Sequence, residues 1–142
     1  MPLIQFAELA RQLQRDEGLR LRPYKDSVGK TTIGIGRNLD DVGISADEAQ
    51  YLLQNDIRKA ASGVDHTFPW TADLDQSRMG VLVNMAYNMG VAGLLNFKKF
   101  LNALQLKDYE AASVAMLDSS WAEQVGSRAQ RLAVQMRTGE WQ

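Results

Sequence analysis

The chain has 142 residues, 45% of them hydrophobic, no cysteine and a formal charge of −1. This length supports one domain, or two lobes on one chain, with a core that needs no covalent staples. The lack of cysteine excludes a disulfide framework and thiolate metal sites, and the near-neutral charge argues against an electrostatically driven nucleic-acid binder.

Residues 3–15 read as an amphipathic helix, because Leu3, Phe6, Ala10 and Leu13 recur at helical spacing among polar residues. The stretch has neither the lysine-led start of a signal peptide nor an apolar run long enough to span a bilayer, so neither self-export nor membrane insertion is expected. Gly18 suits the position just past a helix. Leu19 to Lys25 reads as extended, Asp26-Ser27-Val28-Gly29 as a turn, and Lys30 to Ile35 as a second extended segment. Asn38 to Gly43 is a polar loop. Ser45-Ala46-Asp47-Glu48 matches a capping box, opening a long helix that reaches about Ser62. Phe68-Pro69-Trp70 breaks the pattern. Met79 to Met89 reads as a buried helix punctuated by Gly90 and Gly93. Phe97, Leu101 and Leu104 mark another helix, Ala111 to Met116 a further one, and Ser127 a cap for the last, which ends near Gly139. These elements predict a mostly helical α+β fold. A small β-hairpin lobe at about 18–45 is joined by a connector helix at about 45–62 to a helical lobe at about 65–142, which takes in the N-terminal helix 3–15.

Glu17, Asp26 and Thr32 stand out chemically. They place one carboxyl at a helix end, and a second carboxyl and a hydroxyl on a glycine-rich hairpin. One acid can protonate a glycosidic oxygen, while a carboxylate with a hydroxyl partner can hold or activate water. Each residue alone has a plainer reading. Glu17 could be a solvated acid in a last helical turn, Asp26 an Asx-turn residue, and Thr32 a β-former. Thr31 is the neighbouring hydroxyl, but adjacent strand residues face opposite ways. His66, the sole histidine, reads as a loop residue with no metal array around it, so no metal and no cofactor are expected. The tryptophans read as packing residues. Lys98, Lys99, Arg128, Arg131 and Arg137 read as a solvated face.

The pattern Glu17-x8-Asp26-x5-Thr32, set in D-E-G-L-R-L and T-I-G-I-G, resembles the phage-type lysozymes, the T4 lysozyme family. Further blocks follow in the same order: Asp47-Glu48-Ala49, Asn84-Met85-x-Tyr87-Asn88-Met89-Gly90, Trp121, Ser127-Arg128-Ala129-x-Arg131 and Arg137-Thr138-Gly139-x-Trp141. The resemblance implies a lysozyme-like fold of two lobes and hydrolysis of the β-1,4 bond between N-acetylmuramic acid and N-acetylglucosamine in peptidoglycan, with inversion. It implies Glu17 as general acid, Asp26 as the ionised carboxylate and Thr32 as the holder of water. It implies a saccharide groove carrying Tyr87, Asn88, Asn38 and Phe100. It also implies a monomeric endolysin of phage or prophage. Such a protein stays in the host cytoplasm until lysis, reaches the periplasm and cell wall through a holin, and engages peptidoglycan strands, with no nucleic acid as partner. Arg37 stands where the family's best-known member has a histidine, so a different polar contact must anchor the hairpin's end. Two other readings compete: a saccharide-binding module that kept the fold, and a virion-associated or effector muramidase.

Overall fold

The computed structural model describes residues 4–142. Leu3, counted in the expected first helix, lies outside the described residues. The chain is a mostly helical α+β protein with one small antiparallel sheet. Its residues group into two compact units, one through Tyr51 and one from Leu52 to Gln142.

The first unit opens with α1, Phe6–Glu17, which stops at Gly18 with φ +76°. Strands β1 (Arg20–Lys25), β2 (Thr31–Gly34) and β3 (Arg37–Asn38) form the sheet in that order. Tyr24 pairs with Thr32 and Lys25 with Thr31, while Arg20 pairs with Gly34 across a bulge. That irregular stretch of β1 contains Pro23, which has no N–H to give a ladder, on an edge strand where the loss is tolerated. The hairpin therefore follows the sequence reading, but the strand Arg37–Asn38 does not. Asn38 is not a loop residue: it pairs with Thr32, alongside Arg37 with Ile33.

Helix α2 runs Ala46–Thr67, and the division between the units falls within it, after Tyr51. Its capping box forms as the sequence predicts: Glu48 N donates to Ser45 Oγ at 3.1 Å and Ser45 N donates to Glu48 Oε1 at 2.8 Å. The helix runs past the expected end at Ser62. Gly63 does not break it, and the position has little room for a side chain, since a Cβ would meet Val91 Cγ2 at 2.8 Å. His66 consequently lies in the last helical turn, not in a loop, where the helix dipole favours a basic group.

In the second unit a 3₁₀ turn at Pro69–Asp73 leads to α3 (Gln76–Leu94), which kinks at Gly90. Four helices follow: α4 (Lys98–Gln105), α5 (Tyr109–Leu117), α6 (Ser120–Val125) and α7 (Ser127–Thr138). Asp108 and Ser119 cap α5 and α6. The cap expected at Ser127 falls one residue earlier, on Gly126. That residue ends α6 and starts α7 at φ +59°, a conformation suited to glycine. Val81, Leu82, Met85, Leu94, Phe100, Leu104, Met116 and Met136 are fully buried and form the core. Trp121 joins them edge-on to Phe97, with ring centroids 6.0 Å apart. Among the described residues no helix is long and apolar enough to cross a membrane.

A polar network fastens α3 to the end of α7. Carbonyls in the last turn of a helix lack intrahelical donors. Arg78 supplies them, donating from Nε to Met136 O at 2.7 Å and from Nη2 to Arg137 O at 3.0 Å. It also pairs with Asp75 and stacks on Tyr109, 3.6 Å from the ring centroid. Buried Gln135 donates to Ser77 O at 2.7 Å. Arg78→Ala removes both carbonyl donors at a side chain only 14% exposed. We expect it to cost about 2–4 kcal/mol in urea unfolding. Arg78→Lys recovers only part of this, because an ammonium cannot reproduce the planar fork.

Candidate active site

The three catalytic candidates all lie in the first unit. Asp26 and Thr32 are tied together through the peptide groups of Lys30. Asp26 Oδ1 accepts from Lys30 N at 2.8 Å and from Val28 N at 2.9 Å, closing the turn as an Asx-type acceptor. Lys30 O accepts both from Asp26 N at 2.9 Å and from the Thr32 hydroxyl at 3.0 Å. One carboxylate oxygen of Asp26 is thus committed to the fold. Its Oδ2 accepts no hydrogen bond among the described residues. Thr32 is buried, and its hydroxyl proton points at the backbone, leaving its lone pairs as acceptors. Thr31 is otherwise engaged: its hydroxyl accepts from Lys25 Nζ at 2.6 Å and its N–H donates to Asp40 Oδ2 at 2.8 Å. That amide holds the Asp40 carboxyl below its ordinary range.

Glu17 is the last residue of α1 and is exposed. Its side chain lies against the backbone of Gly36, where a Cβ would meet Glu17 Oε2 at 2.8 Å. Gly36 is therefore glycine for two reasons, its φ of +74° and the carboxyl group lying on it.

The residue after Gly36 supplies the polar anchor that the sequence requires. Arg37 Nη1 donates to Glu48 Oε1 at 2.7 Å and to Gly43 O at 3.2 Å. The Arg37 hydrogen bond, with those of the Ser45 N–H and hydroxyl, lowers the Glu48 pKa from 4.5 to about 2. A carboxyl whose pKa is lower folded than unfolded stabilises the fold above its unfolded value and loses that contribution as pH falls through the folded one. The stability of the first unit should therefore decline between about pH 4.5 and pH 2 more steeply in wild type than in Glu48→Gln. Thermal melts across that window check this.

The four residues expected along a saccharide groove differ in their surroundings. Asn38, in the first unit, spends its amide on its own loop, accepting from Asp41 N at 2.9 Å and donating to Asp41 Oδ2 at 3.0 Å. The other three are in the second unit. Tyr87 is 45% exposed. Asn88 is exposed, and its Oδ1 accepts from Trp121 Nε1 at 2.9 Å, while its amide nitrogen makes no hydrogen bond among the described residues. Phe100 is 1% exposed and packs edge-on to Phe97, so its side chain is core and not an open groove surface. Arg128 departs from the solvated face assigned to it. It is half-buried and holds Asn84 Oδ1 with Nε at 3.0 Å and Nη2 at 2.6 Å. The sequence carries a signal for this pair, since Asn84 opens one of the family-like blocks and Arg128 belongs to another.

Asp26→Asn separates the turn role from the chemical one. An amide oxygen can still accept from Val28 and Lys30, so we expect an unchanged circular dichroism spectrum. Loss of the negative charge should lower turnover by about 100-fold or more.

The chain is similar to several known proteins. The sequence is 33% identical, over 92% of its length, to the pre-baseplate central spike protein Gp5 of Enterobacteria phage T4, and it spans 28% of that protein. It is 28% identical to a probable T4-type lysozyme 2 of Dictyostelium discoideum, covering 94% of this chain and 95% of the relative. It is 29% identical to an endolysin of Salmonella phage P22, covering 75% and 76% of the two chains. The phage lysozyme family model matches residues 14–138, a span that takes in Glu17, Asp26 and Thr32. The chain belongs to the phage lysozyme family.

Proposed function

We propose that the chain is a peptidoglycan muramidase that cleaves the β-1,4 bond between N-acetylmuramic acid and N-acetylglucosamine, acting as an endolysin. The arrangement of the hairpin carries this reading. Asp26 and Thr32 are pinned to the Lys30 peptide groups, and the Glu17 carboxyl lies on the Gly36 backbone. Glu17 gives its proton to the glycosidic oxygen as the bond to the anomeric carbon breaks. Asp26, through Oδ2, offsets the positive charge that develops on the sugar ring and takes a proton from the attacking water. Thr32 accepts a hydrogen bond from that water. The water oxygen attacks the face opposite the leaving group, so the product is the inverted α-anomer. Tyr87 and Asn88, on the second unit, are the saccharide contacts this reading assigns there, Tyr87 through its ring and Asn88 through its amide. The relatives named as endolysins support this reading. In it the chain is a single catalytic domain and a monomer. It is made in the host cytoplasm and reaches the wall through a pore formed by a holin.

The test is digestion of purified peptidoglycan, with one portion reduced by borohydride to identify the new ends and proton NMR of the early, unreduced product to read its anomer. N-acetylmuramic acid at every new reducing end, first seen as the α-anomer, supports the proposal. N-acetylglucosamine at the new ends overturns the bond assignment, and an initial β-anomer overturns the inverting mechanism.

The likeness to a protein named as a pre-baseplate central spike favours a second context, a muramidase carried on the virion. Detection of the chain in purified particles decides for that context, and its absence from them overturns it.

A further inference from the structure

We propose that Arg37 is a positioning residue for the glycosidase reaction, its guanidinium fixing the Gly34-Ile35-Gly36 turn on which the Glu17 carboxyl lies. The inference rests on the muramidase reading and adds a part to its machinery.

The turn between β2 and β3 is intrinsically soft. Gly34 and Gly36 sit at φ +72° and +74°, and glycine gives up more freedom on ordering than any other residue. Only two residues of β3 follow, a ladder too short to hold the turn by itself. Arg37 is the first of them. Its backbone pairs with Ile33, and its side chain reaches Glu48 Oε1 at 2.7 Å and Gly43 O at 3.2 Å. Glu48 is itself fixed, since the same Oε1 also accepts from Ser45 N at 2.8 Å within the capping box of α2. The clamp therefore runs from the first turn of a long helix, through one guanidinium, to the peptide next to Gly36.

Two candidates depend on that peptide. A Cβ on Gly36 would lie 2.8 Å from Glu17 Oε2 and 3.1 Å from Glu17 Cγ, so backbone forms the seat of the carboxyl. On the other side of Arg37, Asn38 pairs with Thr32. Stability explains the pair only in part, since solvent screening keeps small the contribution that the lowered Glu48 pKa implies. Both side chains are more than a third exposed, at 37% and 42%, and ion pairs of that exposure contribute little. Geometry is a better explanation, because misplacement of a reacting group by a fraction of an ångström to 1 Å lowers turnover steeply while leaving binding elsewhere intact.

The experiment measures kcat and KM on soluble, uncross-linked N-acetylglucosamine–N-acetylmuramic acid strands, well below each variant's melting temperature. Wild type is compared with Arg37→Gln, Glu48→Gln, the double variant, Ser45→Ala and Glu17→Gln. Glu48→Gln keeps the reach to Ser45 N and so removes the ion pair but not the cap. We expect Arg37→Gln to lower kcat about 10-fold and Glu48→Gln to lower it less, since its amide oxygen can still accept from Arg37, with KM changed less than about twofold in each and the double variant no worse than Arg37→Gln. Ser45→Ala should lower the melting temperature and leave kcat unchanged, since it removes a cap without touching the guanidinium. If Arg37→Gln keeps wild-type kcat, or if Ser45→Ala loses as much kcat as Arg37→Gln, the clamp is overturned and the muramidase reading stands. If wild type itself does not turn the strands over, the muramidase reading fails first and the clamp falls with it.

Discussion

Glu17→Gln should lower turnover about 1000-fold while saccharide binding and the fold persist. Glutamine has the length and shape of the residue it replaces, and it can lie on the same Gly36 backbone. The side chain is exposed at the end of α1 and makes no ion pair among the described residues, so its loss strands no buried charge. An amide, however, cannot deliver a proton to a departing sugar oxygen. Calorimetric titration with non-cleaved oligosaccharide, beside clearing of outer-membrane-permeabilised cells, separates the two properties. Retained binding with lost clearing assigns Glu17 to the chemical step. Equal clearing by both proteins means that Glu17 is not the acid. Two folded proteins that bind and do not clear would instead support a saccharide-binding module.

Phe100→Ala should destabilise the protein by about 3–5 kcal/mol, more than loss of the two carbonyl donors of Arg78. The side chain is 1% exposed and sits in the same cluster as Leu104, Met116 and Trp121. Phe97 meets it edge-on with centroids 6.3 Å apart. Alanine leaves a cavity that neighbours on α4 and α5 cannot collapse into without leaving their rotamers. Urea unfolding gives the magnitude, and KM at low denaturant shows whether a ligand contact was lost as well. A cost below about 1 kcal/mol accompanied by a raised KM would return Phe100 to the saccharide surface.

Features that depend on neighbours in the chain are legible in the sequence, and those that depend on the fold closing are not. The capping box at Ser45 and Glu48 is readable because both partners lie within one turn. The Asp26 turn is readable for the same reason. The burial of Phe100 is legible too, although the family resemblance points elsewhere: Phe97, Phe100, Leu101 and Leu104 have the i, i+3, i+4, i+7 spacing of one buried face. By contrast, β3 is two residues long, and a segment that short shows no period. The helix around Trp121 is six residues and is equally silent. The partner of Arg37 lies 11 residues away across a loop, so no local pattern announces it, and the Arg128–Asn84 pair, 44 residues apart, is signalled only by the family-like blocks that hold the two residues.

The fastening of α3 to α7 sets an order of events during synthesis. The contacts of the hairpin close over short separations: Asp26 meets Lys30 four residues on, and Arg37 meets Glu48 after 11. They can form almost as soon as these residues leave the ribosome. Arg78 must wait for a carbonyl 58 residues downstream, and Gln135 bonds back to Ser77 over the same separation. At 5–20 residues per second that delay is roughly 3–12 s. From the completion of α3 at Leu94 until α7 emerges, the apolar face of α3 has been translated and one of the helices that cover it has not, which leaves the nascent helical unit open to chaperones.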